Sequence, residues 1–147
     1  MSAESGRPMR KPSLFAWHDL PYLIVCLVIV AALSYSIAMQ FESYDLRNRA
    51  LLSLAYLGIS AAYAIRYCAL GAASTGSDTT DALWNRAIMS GFLMVLASDL
   101  SASLARGEVV LIVAPSLFCL AGSALGATFT LAYLDRAHQA SIADTAA

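Results

Sequence analysis

The sequence predicts an all-α, polytopic membrane protein: an antiparallel bundle of four transmembrane helices with both termini in the cytoplasm. Composition, hydropathy and the distribution of Lys and Arg lead to this prediction. Of the 147 residues, 59% are hydrophobic and 13% are charged, whereas soluble domains contain about 25% charged residues. So little charge cannot cover the surface of a soluble globule. Such a high apolar content also excludes a largely disordered chain.

Four apolar stretches follow one another along the chain, and each can cross a hydrocarbon core roughly 30 Å thick as a helix. They cover about residues 20–41, 50–73, 87–105 and 109–134. Because hydrocarbon offers no partner to backbone polar groups, each stretch should be helical. Residues 20–134 are then the membrane domain. Residues 1–19 form a basic N-terminal tail and residues 135–147 a C-terminal tail, both cytoplasmic.

The connections between these stretches are short and polar, which favours an antiparallel arrangement of consecutive helices. They cover residues 42–49, 74–81 and 106–108. Pro115 lies inside the fourth stretch, where a proline removes one helical hydrogen bond and predicts a kink.

Lys and Arg residues are more numerous on the side of the termini, which predicts the orientation. Six lie on that side: Arg7, Arg10, Lys11, Arg66, Arg86 and Arg136. Three lie on the other side: Arg47, Arg49 and Arg106. The positive-inside rule then predicts a multi-pass protein of the inner (cytoplasmic) membrane with both termini inside. The formal net charge of −1 predicts no nucleic-acid partner, since binding to nucleic acid needs a basic surface.

Asp99 is the main candidate for a functional residue, because it lies inside the third stretch. A carboxylate near the middle of a bilayer costs roughly 2.5–3.5 kcal/mol, so something should compensate for it. Ser98 and Ser103 place hydroxyl groups nearby. The sequence leaves two interpretations open. Asp99 either binds a proton or cation along a polar path, or it is a structural carboxylate that bonds to a neighbouring helix or to water.

Arg66 is the one charged residue within the second stretch. Its position toward the cytoplasmic end lets its guanidinium reach the headgroups by snorkelling. We group it with Ser98, Asp99 and Ser103 as a candidate intramembrane polar site. Because Arg66 and Asp99 fall at different depths, a direct pair between them would require staggered helices.

Two further patterns in the apolar stretches indicate helix packing. Tyr56, Tyr63 and Tyr67 share one face of the second stretch, which favours a packing surface over a binding groove. Small residues spaced by four let helix backbones approach closely in lipid. Such residues are Gly58 and Ala62 in the second stretch, and Gly122 and Gly126 in the fourth. The sequence does not distinguish packing within the bundle from packing between copies.

Cysteine and histidine usage predicts neither a cofactor nor a metal. Cys26, Cys68 and Cys119 are isolated in sequence, without a Cys-x-x-Cys motif. His18 and His138 lie outside the apolar stretches. Because no acid, base and nucleophile converge in a recognisable motif, we expect the protein not to be an enzyme.

Two functions fit these features. The first is a small, oligomeric integral membrane protein that forms or lines a permeation path, as a channel, a small transporter or a holin-like pore. The alternative is a non-catalytic accessory or assembly subunit of a larger membrane complex. The expected partners are the lipid bilayer and either further copies of the chain or another membrane subunit. Asp99 discriminates between the two functions, because only a path requires its charge.

Overall fold

The computed structural model describes residues 19–40, 46–74, 80–109 and 113–146. These residues form four helices and no strand: α1 (Leu20–Met39), α2 (Leu46–Ser74), α3 (Thr80–Arg106) and α4 (Val113–Ala146). Each helix is long enough and apolar enough to cross a membrane, which confirms the predicted all-α class and the four candidate spans. The tail before Asp19 and most residues of the connections lie outside the described residues.

Three of the helices extend beyond the apolar stretches. Helices α2 and α3 begin at Leu46 and Thr80, before the predicted positions 50 and 87, and their first turns include polar residues. The predicted C-terminal tail is helical as far as Ala146, and its side chains from Asp135 to Thr145 are exposed. Helical hydrogen bonding continues through polar residues, whereas hydropathy marks only the part of a helix that fits hydrocarbon.

The turn between α3 and α4 has a local explanation. Gly107 adopts a left-handed conformation with φ of 70°, and its N–H donates to the carbonyl of Ser103 at 2.9 Å. This is a common way to end a helix, and glycine adopts it without steric cost. Pro115 lies in the first turn of α4, which begins at Val113. A first-turn N–H needs no helical partner. The carbonyl of Leu111, on which the predicted kink depends, lies outside the described residues, so the kink stays a prediction.

Contacts between the helices show that consecutive helices are antiparallel. Asp19 and Tyr22 of α1 lie against Arg66 and Tyr63 of α2, so residue numbers rise along one helix as they fall along the other. The same reversal relates α2 to α3 and α3 to α4. It follows that α1 and α3 run in one direction, and α2 and α4 in the other.

The helices do not pack in the order of the sequence. Helix α2 packs most extensively on α4, and α1 packs mainly on α3. Helices α3 and α4 join the two pairs, while α1 contacts α2 only slightly. We call the end at which α1 and α3 begin the Asp19 end, and the opposite end the Arg106 end.

Two glycines bring α4 directly onto the backbone of α2. A Cβ atom added at Gly122 would lie 2.5 Å from the carbonyl oxygen of Leu57, and one added at Gly126 would lie 2.5 Å from that of Ala61. Only glycine fits at either position in this arrangement. Gly122 and Gly126 therefore perform the predicted close packing, and they do so within one chain.

Gly58 and Ala62 take no part in that packing. Both lie on the exposed side of α2, and a Cβ atom added at Gly58 would meet nothing within 4 Å. Only one face of α2 can lie against α4, and the turn of the helix places these two residues elsewhere. Their role in contacts between copies stays a prediction.

The two kinds of glycine should respond differently to alanine. We expect Gly126→Ala to lower the free energy of unfolding by about 1–3 kcal/mol, because the added methyl group overpacks the α2–α4 contact. Gly58→Ala is the matched control, and helix propensity predicts no loss or a gain of up to about 1 kcal/mol. Unfolding of the purified chain in mixed micelles, titrated with a denaturing detergent, measures both. Equal effects would contradict the assignment of these faces.

Candidate functional site

Asp19 is a buried carboxylate at the start of α1. The residue is only 3% exposed, and Arg66 Nε lies 3.5 Å from its Oδ1. The Arg66 side chain is itself 48% exposed, and its guanidinium carbon lies 4.5 Å from the centre of the Tyr22 ring. Arg66 therefore has both a counter-ion and an aromatic partner within the chain.

The carboxylate of Asp19 has unmet capacity to accept hydrogen bonds. The Tyr63 hydroxyl faces the carboxylate as a hydrogen-bonding neighbour, but the contact falls outside standard geometry, and within the described residues neither carboxylate oxygen has a hydrogen bond that meets it. The 3.5 Å separation from Arg66 is an ion pair longer than an N–H···O hydrogen bond. Since a buried carboxylate is costly unless donors surround it, Asp19 can accept further donors.

A stack of tyrosine rings flanks this carboxylate. Tyr63 stacks on Tyr22 with ring centres 5.9 Å apart, and on Tyr67 with centres 5.8 Å apart. At the far end of the stack, Arg86 Nη1 donates to the Tyr67 hydroxyl at 3.3 Å. Tyr56, Tyr63 and Tyr67 are all buried against the neighbouring helices, as expected of a face that packs. We call Asp19, Tyr22, Tyr63, Arg66 and Tyr67 the Asp19 cluster.

Three buried hydroxyl groups link α1, α2 and α3 nearer the Arg106 end. Ser34 Oγ lies 2.8 Å from the Tyr56 hydroxyl and 2.7 Å from Ser98 Oγ. It also donates to the carbonyl of Val30 at 2.8 Å. Because a serine hydroxyl has one proton and two lone pairs, Ser34 accepts from Tyr56 and Ser98 while it donates to Val30. All three hydroxyl protons then have acceptors, which explains how these groups tolerate burial.

Asp99 lies at the contact between α3 and α4 and is half-buried. Ser116 Oγ of α4 lies 3.5 Å from its Oδ1, a contact longer than a standard O–H···O hydrogen bond. The Ser103 hydroxyl donates to the backbone carbonyl of Asp99 at 2.7 Å. A hydroxyl of the neighbouring helix therefore faces the carboxylate, as either interpretation of Asp99 requires.

The residues of the predicted polar site do not form one site. Ser98 lies inside the bundle in the hydroxyl network, whereas its neighbour Asp99 lies at the contact with α4. Arg66 belongs to the Asp19 cluster. Along α3, the path from Arg86, beside Tyr67, to Asp99 spans about 20 Å. Arg66 and Asp99 thus lie in opposite halves of the bundle.

A mainly apolar layer, which also holds the buried hydroxyl of Ser60 beside Met94, separates the charged groups at the two ends. Its apolar side chains are buried and come from three helices: Cys26, Val30, Met94 and Cys119. Along α1, the rise from Asp19 to Ser34 is about 22 Å, and Val30 lies between them. A charge that moved through the bundle would have to displace side chains of this layer.

Sequence reasoning missed Asp19, because it was assigned to the N-terminal tail. A signal was present, since Asp19 directly precedes the first apolar stretch on the side where Arg66 is expected. Opposite charges at one level of neighbouring helices are candidates for an ion pair. Ser34 was also not predicted, because the sequence around a serine in an apolar stretch does not indicate which residues of other helices it will bond to.

Comparison with known families, with curated proteins and with solved structures gives no match for this chain. The described residues contain no group of three or more His, Cys, Asp or Glu residues that could hold a metal ion. The carboxylates and hydroxyls described above are therefore the features of this chain that bear on its function.

Removing the central hydroxyl should destabilise the bundle. We expect Ser34→Ala to lower the free energy of unfolding by about 1–2 kcal/mol, because Tyr56 and Ser98 then lose a shared acceptor in a buried site. Ser36→Ala on the exposed face of α1 is the matched control and should have little effect. The detergent titration of unfolding measures both variants. A Ser34→Ala chain as stable as the control would show that the network contributes nothing.

Proposed function

We propose that this chain is a small, non-catalytic integral membrane protein that lines a permeation path for protons or small cations. It lies in the cytoplasmic membrane with both termini inside, an orientation supported by the excess of Lys and Arg on the side of the termini. The Asp19 end is then the cytoplasmic end, and the Arg106 end faces outward. The lipid bilayer is its immediate partner, and further copies pack against its exposed helix faces.

One observation carries this proposal: each half of the bundle holds a carboxylate, and an apolar layer separates them. Asp19 is buried at one end, and Asp99 is half-buried in the other half, about 10 Å from the last residue of α3. Ionisable groups within membrane segments are costly and commonly mark ion or proton pathways. The two carboxylates supply a binding position on either side, and the apolar layer prevents a leak between them.

This arrangement supports a carrier or a gated channel over a permanently open pore. Met94 and Val30 are fully buried, so passage requires a movement of helices that opens the layer. Asp99 is suited to exchange with the outer side, because it is partly exposed and faces the hydroxyl of Ser116. Ser98 lies inside a single bundle, which supports a path within one chain over a path between copies.

Flux should depend on the charge of Asp99. In proteoliposomes that contain a pH-sensitive dye and carry an imposed ion gradient, we expect Asp99→Asn to reduce proton or cation flux at least about tenfold, a barrier increase of about 1.4 kcal/mol. The matched control is Asp144→Asn, an exposed carboxylate near the end of α4, which should leave flux unchanged. Depolarisation of cells that express each variant gives a second readout.

The reconstitution separates a path from a structural carboxylate. If the wild-type chain gives no flux above empty liposomes, the proposed function is wrong. If Asp99→Asn lowers only the yield of folded protein while the folded fraction conducts normally, Asp99 is a structural residue.

A second candidate function is favoured by the length of α4. This helix continues to Ala146, and all its side chains from Asp135 to Thr145 are exposed. A polar helix that projects from the bundle offers a docking surface for another protein at the cytoplasmic end. On this proposal, the chain is an accessory or assembly subunit of a larger membrane complex.

Removal of residues 135–147 tests this second function. Because the deleted side chains that the structure describes are exposed, we expect the free energy of unfolding to change by no more than about 0.5 kcal/mol. If the projecting helix docks a partner, a complex isolated from the native membrane with the full chain should be lost with the truncated chain. An unchanged complex would contradict a docking role for this helix, and normal flux from the truncated chain would favour the path.

A further inference from the structure

The geometry points to a ligand site in the Asp19 cluster. We infer that this cluster binds a small organic cation that carries N–H donors, an alkylammonium or a guanidinium, in the position that Arg66 now holds. The inference deepens the proposed function, because it names the class of cation that enters the path at the Asp19 end.

The carboxylate of Asp19 lacks hydrogen-bond donors. Asp19 is 3% exposed, and within the described residues neither of its oxygens has a hydrogen bond of standard geometry. Arg66 Nε approaches Oδ1 only to 3.5 Å. A ligand with N–H groups at hydrogen-bond distance, about 2.8 Å for a charged pair, satisfies these oxygens better than Arg66 does.

The rings of Tyr22 and Tyr63 form an aromatic wall beside the carboxylate. Tyr22 already carries a cation over its ring, with the guanidinium carbon of Arg66 4.5 Å from the ring centre. Tyr63 continues the wall by stacking on Tyr22 at 5.9 Å. Aromatic faces attract cations and also bury their apolar parts, so they favour an organic cation over Na⁺. The open acceptors of Asp19 favour a cation with N–H donors over a quaternary ammonium, which has none.

The guanidinium of Arg66, which now occupies the position beside Asp19, can move away from it. The Arg66 side chain is 48% exposed, and arginine is long enough to move its guanidinium outward to the headgroups. The exchange replaces one positive charge with another, so Asp19 stays neutralised throughout. Arg86 lies at the far side of the Tyr67 ring, bonded to its hydroxyl, and does not occupy the position beside Asp19. Arg66 thus acts as a built-in competitor for the site.

The test is a titration of the purified full-length chain in lipid nanodiscs, followed by isothermal titration calorimetry. Ethylguanidinium is the probe, since it reproduces the end of an arginine side chain. Tetramethylammonium and Na⁺ are the controls that carry charge without N–H donors. We expect saturable binding of ethylguanidinium alone. Arg66→Gln should bind it about tenfold more tightly than the native chain, because this variant removes a tethered competitor.

Further variants separate the site from general charge effects. Arg136→Gln removes an exposed arginine of the same end of the bundle and should bind like the native chain. Asp19→Asn should lose binding, and Tyr22→Leu, which keeps the carboxylate, should weaken it severalfold even if Asp19→Asn fails to fold. The inference is overturned if Arg66→Gln binds no more tightly than the native chain, or if tetramethylammonium binds equally well.

The binding titration and the flux assay fail independently. Ethylguanidinium binding without flux in proteoliposomes would contradict the proposed permeation path and leave the ligand site standing. Flux that depends on Asp99, with no binding by native or Arg66→Gln chains, would contradict this inference alone.

Discussion

The contact between the backbones of α2 and α4 determines how the rest of the bundle is arranged. Gly122 and Gly126 allow α4 to lie against the carbonyls of Leu57 and Ala61. This contact uses the face of α2 that carries Ser60, Ala61 and Ala64. The face that carries the tyrosines is therefore left for α1 and α3. The stacked rings, the hydroxyl network and the Asp19–Arg66 pair all lie on that second face. In lipid, where apolar side chains gain little from leaving their surroundings, close backbone approach is a major source of association.

Polar groups are distributed in the bundle according to the cost of burying them. The central layer holds thiols, a thioether, aliphatic groups and the Ser60 hydroxyl, whereas the hydroxyls of Ser34, Tyr56 and Ser98 bond to one another toward the Arg106 end. The two carboxylates lie outside this layer, and each faces a polar partner from another helix. Asp19 departs from this distribution, since it is as buried as the core residues yet has fewer hydrogen-bond donors around it than a carboxylate requires. A residue that departs from such a pattern is a reasonable place to look for a ligand.

The sequence was sufficient for the number of helices and for the antiparallel arrangement of consecutive helices, and it marked small residues without showing which helix they meet. Hydropathy locates a span because the bilayer has a fixed thickness, but it does not locate helix ends, so the polar continuation of α4 was read as a tail. The same small-residue spacing occurs at Gly58 and Ala62 as at Gly122 and Gly126, yet only the second pair is buried. That difference depends on which face of α2 meets α4, which no local pattern records. The burial of Asp19 and the partners of Ser34 depend in the same way on helices distant in sequence.

The slight contact between α1 and α2 has a consequence for the biogenesis of the protein. In a chain that inserts as it is synthesised, α1 and α2 would enter the bilayer before α3 is made. Helix α1 would then be held only by the few contacts around Asp19 and by the Ser34–Tyr56 hydrogen bond, because its main partner is α3. During that interval the Ser34 hydroxyl lacks Ser98, and α1 is free to be retained by the insertion machinery or exchanged with another nascent chain. Insertion of α3 is therefore the step at which α1 gains its main packing partner and becomes fixed within its own chain.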